Sequence, residues 1–292
     1  MDIKLITELN PKEKIWWEHE IKNFRGRIIQ EPKSYAKTVI EERGFNKSNL
    51  TDDIESIIEK TREEIWQTYL IDEALFHQEL LTHLSKSRHL PKSILINLIS
   101  KRVLDTYKDI GRIELQNILS EIVGEYTGRI MPYIYLLSLS TTNSRRSRSG
   151  KTFETLIEAL FDVFEYPYTN QSSIGNAGYE SNLGKKVDLI VPSIDSYIKN
   201  RPMCAVVTMK TSLRERWQEV AEELNRTNVP HIYLLTADRG VTPNTVSIMK
   251  RYNITLVVYQ SEKTSKFEKF ANVQDFRTFF LQEIPHILSY WK

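Results

Sequence analysis

The chain has 292 residues, 40% of them hydrophobic and 27% charged, with a formal net charge of +2. That balance fits a water-soluble globular protein of one large domain or two ordinary ones, and by itself neither requires nor excludes a nucleic acid. No run approaches the ~20 apolar residues needed to cross a membrane, the start Met1 to Ile6 lacks the signal-peptide pattern, and the lone Cys204 excludes an internal disulfide, so a cytoplasmic protein without a membrane partner is expected.

Residues 1–140 read as a helical domain. Ile54, Ile57, Ile58, Ile65, Tyr69 and Leu70 recur at mixed three- and four-residue steps, and Thr51-Asp52-Asp53 supplies an N-cap with early acids. Leu75, Leu80, Leu81 and Leu84 continue the pattern. Pro91 stands in the first turn of a helix over Ile94 to Leu104. The next helix spans about Ile113 to Val123 and stops near Gly124, and Pro132 precedes the apolar stretch Tyr133 to Leu139. No zinc-ligand spacing, no fixed-period repeat and no low-complexity tract occurs in the chain.

Ser144 to Lys151 holds four cations, Arg145, Arg146, Arg148 and Lys151, and no acid. Such a run is either a solvated linker or a loop that touches nucleic-acid phosphates. The texture changes beyond it, and residues 141–292 read as a second domain. Thr152 to Phe164 is helical with a wide apolar face, and the Gly/Asn/Ser-rich residues 170–184 read as loop. Two apolar strands follow, Val187 to Val191 and Ala205 to Lys210. A helix after Ser212, a strand at His231 to Leu235, a helix from Pro243 to Arg251, a strand at Thr255 to Tyr259 and a helix from Asp275 to Tyr290 complete the chain. Strands separated by helices after an opening hairpin indicate an α/β (α+β overall) architecture. A mixed β-sheet core flanked by helices is expected, preceded by an all-helical N-terminal domain.

The two strands carry misplaced charges. Lys210 ends an otherwise apolar strand, and Asp188 sits within Val-Asp-Leu-Ile-Val. Each is costly to bury alone, so the simplest solution is that they meet. A structural ion pair meets that need as well as a catalytic site does. Arg214-Glu215-Arg216 follows the lysine and opens a helical pattern with Glu219, Glu222 and Glu223. Two carboxylates and a lysine are the parts that hold Mg²⁺ and activate water for phosphodiester hydrolysis. Arg-Glu-Arg offers the donors and acceptor that guanine and cytosine edges require.

Asp188 with Thr208-x-Lys210 resembles the PD-(D/E)XK nuclease superfamily, with Val187 in place of the proline and Thr208 in place of the second acid. One branch moves that acid onto the following helix. It comprises type II restriction endonucleases that cut at CC…GG sites, including the EcoRII catalytic domain. Glu223, thirteen residues after Lys210, matches that arrangement, with Glu219 as runner-up one turn earlier. Ser144-Arg145-Arg146-Ser147-Arg148-Ser149-Gly150-Lys151-Thr152-Phe153-Glu154 resembles the branch's Arg-rich loop and glutamate-bearing helix. Arg214-Glu215-Arg216 resembles its base reader. The motifs span 144 to 223, and none aligns in the N-terminal domain.

The resemblance implies a restriction-endonuclease-like core and a Mg²⁺ site made by Asp188, Glu223 and the Met209 carbonyl. Lys210 and Glu154 would act beside it, and Arg145, Arg146, Arg148, Lys151, Arg214, Glu215 and Arg216 would contact DNA. The implied partner is palindromic double-stranded DNA containing CC and GG, either as CCGG with flanks or interrupted. The implied assembly is a homodimer or a higher assembly of a restriction-modification system. Alternatives are another nuclease of the superfamily, in repair or transposition, and a catalytically degenerate DNA-binding protein. Trp16, Trp17, Trp66 and Trp217 are expected to pack rather than to stack on bases.

Overall fold

The computed structural model describes residues 7–101, 111–176, 187–213, 217–218 and 229–292, with 174–176 as backbone only. The chain forms two compact units. One comprises the described residues up to Glu31 together with those of Gln67–Ser147; the other comprises Pro32–Trp66 and the described residues from Arg148 to Lys292. The chain therefore passes between units three times. The single boundary expected near residue 140 falls inside a helix.

Among its described residues the first unit contains helices and no strand. Helix α1 (Pro11–Ile28) begins where Asn10 caps the Glu13 N–H and Pro11 fixes the first turn. It buries Trp17, Ile21 and Phe24. The unit also buries Phe76, Leu80 and Leu84 of α3 (Lys47–Ser87) and Tyr133 and Leu137 of α6 (Met131–Phe164). The Trp17 indole donates to the Tyr133 carbonyl at 2.8 Å. Helices α4 (His89–Ile99) and α5 (Arg112–Arg129) complete the unit. Helix α5 runs straight through Gly124, where a stop was expected, because one interior glycine costs only about 1 kcal/mol.

The second unit opens with α2 (Pro32–Arg43) and the start of α3. Helix α3 breaks at Asp53 (φ −148°, ψ 54°), whose carboxylate accepts the Ser56 N–H at 3.4 Å. The N-cap legible in Thr51-Asp52-Asp53 is thus Asp53, set within a merged helix. From residue 148 the rest of α6 leads into β1 (Thr169–Asn170), α7 (Gln171–Asn176) and β2 (Leu189–Val191). Then come α8 (Ile194–Lys199), a 3₁₀ turn (Arg201–Met203) and β3 (Ala205–Lys210). Strand β4 (Ile232–Thr236), α9 (Pro243–Arg251) and β5 (Ile254–Val258) follow. The chain ends with α10 (Gln260–Lys266), β6 (Val273–Asp275), α11 (Phe276–Thr278), a π-helical stretch (Phe279–Glu283) and α12 (Ile284–Tyr290).

The six strands lie in sequence order. β1, β2 and β3 pair antiparallel, and β3 through β6 pair parallel. This is the mixed sheet expected from the strand pattern. Alternation divides the strand residues between two buried layers. Ile190, Val206, Leu234 and Leu256 pack with Ile194, Val246 and Met249. Leu189, Val207, Leu235 and Val257 pack with Leu50, Ile54, Phe153, Leu160, Phe276 and Phe280. With helices on both faces, the central strands are apolar on both sides, which is why they read as unbroken hydrophobic runs.

Ser144 to Lys151 is helical, part of one 34-residue helix, and not the loop expected from its charge. Among the described residues no helix is long and apolar enough to cross a membrane.

Candidate active site

The site is built by the register of two strands. β2 and β3 pair with Leu189 opposite Val207 and Ile190 opposite Val206. One step further, Asp188 faces Thr208, its N–H donating to the Val207 carbonyl at 2.9 Å. Lys210 lies two residues beyond Thr208 on the same face. The Asp188 carboxylate is buried at 6% exposure. Its Oδ2 accepts the Met209 N–H at 2.6 Å and the Thr208 hydroxyl at 3.2 Å, and lies 3.7 Å from Lys210 Nζ. Oδ1 accepts from none of the described residues.

Burial pushes the Asp188 carboxyl above the usual aspartate range. Lys210 and the two hydrogen bonds pull it down, and the charge of Glu154 adds to the rise. Glu154 projects from α6 and is paired with Lys151 at 2.7 Å, one turn away. That hydrogen bond raises the Lys151 ammonium, and the charges of Glu154, Asp188 and Glu158 raise it further. Asp188, Glu154, Lys151 and Lys210 therefore share one electrostatic neighbourhood. Asp188 is the strained member, a desolvated carboxylate with one oxygen uncommitted and an acid nearby. That donor set fits a hard divalent cation, which carboxylate oxygens bind and whose charge offsets both acids. Among the described residues, no group of three or more acids, histidines or cysteines gathers as a ligand set.

The basic run is divided by its surroundings. Arg145, on the part of α6 in the helical unit, forms a two-pronged pair with the buried Glu73, with the Arg145 Nε to Glu73 Oε2 contact at 2.9 Å. Burial would raise the Glu73 carboxyl, but the hydrogen bonds from Arg145 and Tyr69 hold it below its ordinary value. Arg145 is thus structurally engaged, which the expectation of a solvated phosphate-contacting loop did not anticipate. Arg146 and Lys151 are exposed, and Arg148 is half-buried. Arg214, Glu215, Arg216, Glu219 and Glu223 lie outside the described residues. Buried Leu213 precedes the triplet, and Trp217, just after it, packs against the sheet's core as expected. Sequence reading took Thr208 only as a missing acid. Its place opposite Asp188 in the antiparallel register is the signal for its role as a donor to that carboxylate.

The family model described as EcoRII C terminal matches residues 107–279, more than half of the chain. The chain belongs to the EcoRII C-terminal family. The matched span includes Glu154, Asp188, Lys210, Arg214-Glu215-Arg216 and Glu223. The type II restriction enzyme SsoII of Shigella sonnei is 36% identical over 172 residues, covering 59% of this chain and 56% of that protein. The type II restriction enzyme EcoRII of Escherichia coli is 29% identical over 147 residues, covering 48% of this chain and 33% of that protein. The chain thus aligns with about half the length of one relative and a third of the other. The structure of metal-depleted Ecl18kI in complex with uncleaved, modified DNA superposes with a TM-score of 0.77 at 26% identity, covering 98% of this chain and 87% of that one. A second Ecl18kI structure, with uncleaved DNA, gives a TM-score of 0.76 at 26% identity, covering 97% and 87%. The fold is that of a restriction endonuclease, preceded by a helical N-terminal region.

Proposed function

We propose that this member of the EcoRII C-terminal family is a type II restriction endonuclease that hydrolyses double-stranded DNA with Mg²⁺ at a palindrome containing CC and GG. The observation that carries the reading is the buried Asp188 carboxylate, tied through one oxygen to Lys210, Met209 and Thr208 and left open at the other. The DNA complexes of Ecl18kI support DNA as the partner.

Asp188 Oδ1 would hold the cation, with Glu223 and the Met209 carbonyl completing the protein's share. Bound there, Mg²⁺ supplies Lewis acidity toward water and the scissile phosphate. Lys210 orients the attacking water and offsets phosphate charge. Glu154 acts beside the cation, directly or through water, and Lys151 pairs with its carboxylate. Thr208 and the Met209 N–H fix Asp188 so that one oxygen alone faces the cation. Arg214 and Arg216 donate to guanine O6 and N7, and Glu215 accepts from cytosine N4. Arg146, Arg148 and Lys151 meet phosphates, and Arg145 does so only by leaving Glu73. A homodimer supplies one site per strand, and a palindrome mirrors its two-fold symmetry. The helical N-terminal region serves the dimer interface, DNA clamping or added specificity.

Incubating the purified protein with plasmid DNA and Mg²⁺ tests this. Discrete bands with ends that map to one CC- and GG-containing sequence support it. A smear points to an unspecific nuclease, and intact plasmid sinks the nuclease reading.

A further inference from the structure

We infer that Thr236 and Asp238 are positioning residues, together clamping the strand end that carries Lys210 and the backbone of Leu213, the residue before the Arg-Glu-Arg triplet. The inference rests on the nuclease reading of the site. Thr236 ends β4 opposite Lys210 in the parallel register. It is fully buried, and its hydroxyl donates to the Lys210 carbonyl at 2.6 Å. The same hydroxyl accepts the Asp238 N–H at 3.0 Å. The Asp238 carboxylate then reaches across. Oδ2 accepts the Leu213 N–H at 2.7 Å, and Oδ1 accepts the Gly240 N–H at 2.7 Å.

A strand end normally frays where its ladder stops, because its last backbone groups lose their partners. Here two side chains supply those partners, one at the end of β4 and one two residues beyond it. One grips the carbonyl of Lys210 itself. The other grips the N–H of Leu213, the residue joined to Arg214. The clamp divides by side chain. Removing the Thr236 hydroxyl releases the lysine, and removing the Asp238 carboxylate releases the approach to the reader.

The test uses the full chain and a duplex carrying the cut site mapped from plasmid ends. Thr236→Val keeps the shape but loses the hydroxyl. It should slow single-turnover cleavage at saturating Mg²⁺ and DNA by about 10- to 100-fold, the scale of a small misplacement of a reacting group, while Ca²⁺-supported DNA binding stays unchanged. Thr236→Ser should restore the rate. Asp238→Ala should speed hydrogen exchange at the Leu213 amide and cut discrimination between the cognate duplex and one changed at a single G·C pair by about 10-fold, near the low end of one good base contact. Wild-type rates and discrimination in both variants would overturn the assignment while leaving the nuclease standing. An unchanged Leu213 exchange rate in Asp238→Ala would remove the clamp. A wild-type protein that cuts no DNA would remove the nuclease reading and this inference with it.

Discussion

Lys210 Nζ lies 3.7 Å from Asp188 Oδ2, the same oxygen that accepts from the Met209 N–H and the Thr208 hydroxyl. Among the described residues none donates a hydrogen bond to the other oxygen, and the burial of this carboxylate has a measurable consequence. A carboxyl whose folded-state pKa is raised stabilises the fold most when protonated. That contribution is lost as pH rises from the ordinary aspartate value through the folded-state value. Above the folded-state value the metal-free protein therefore carries a desolvated charge. Asp188→Asn should raise its melting temperature there and flatten its pH dependence while abolishing cleavage. Mg²⁺ should stabilise the wild type, by about 2.7 kcal/mol at a hundredfold excess over Kd, but not the variant. Equal stabilisation of both by Mg²⁺ would move the cation elsewhere.

Lys210→Ala removes the ammonium proposed to orient water and leaves the proposed base contacts alone. Cleavage should fall by at least about 100-fold, the lower range for a positioned acid–base group. Specific binding in Ca²⁺ should persist. Substantial cutting by this variant in Mg²⁺ would eliminate the proposed site.

The second acid is assigned by its spacing from Lys210. Glu223→Ala should lose activity far more than Glu219→Ala, and its residual rate should require more Mg²⁺. The reverse order in a side-by-side metal titration would shift the ligand by one helical turn.

The strands that carry this site were legible because their chemistry admits few solutions. β3 occupies Ala205–Lys210 as its apolar run predicts, and α9 begins at Pro243 as the proline predicts. Opposite charges in neighbouring buried strands had to meet, and they do. The basic run misled for a physical reason. Residues 144–151 offer no apolar periodicity, yet helix continues through them between Leu137 and Phe153, each buried in its own unit. The partner of Arg145 was hidden because Glu73 lies 72 residues away in the chain. The same helical pattern runs through residues 32–66 and 67–87, so periodicity alone could not reveal that they belong to different units. β6 is three residues long, too short to show an alternation.

The Arg145 pair predicts a stability effect separable from DNA binding. Glu73 has its carboxyl held low, so its contribution is present above the ordinary glutamate value and is lost as pH falls through the folded-state value. Arg145→Ala should destabilise the protein by about 1–3 kcal/mol, the cost of leaving a buried acceptor without its partner. Adding Glu73→Ala should recover part of that loss. Arg146→Ala should leave stability unchanged and reduce the salt slope of DNA binding by about one, the release expected for one phosphate contact. Denaturant unfolding and binding at several salt concentrations separate the two. An unchanged slope would make Arg146 a solvated helical residue.

The proposed specificity rests on Arg214-Glu215-Arg216, and its physics is that of unpaired acceptors. Each arginine can place two N–H groups on guanine O6 and N7, while Glu215 accepts from the cytosine amino groups of the same pairs. Alanine at either arginine leaves those acceptors facing the protein without a donor. The cost should be about 1–3 kcal/mol for the cognate duplex, with nonspecific affinity barely altered because phosphate contacts are intact. Glu215→Ala should instead relax selection at the cytosines. Binding is measured in Ca²⁺, to the cognate duplex and to duplexes altered at one G·C pair. If Arg214→Ala and Arg216→Ala weaken every duplex equally, the triplet touches only the backbone. The CC and GG assignment then loses its main support, while the chemistry at Asp188 and Lys210 stands, because cleavage and reading use different atoms.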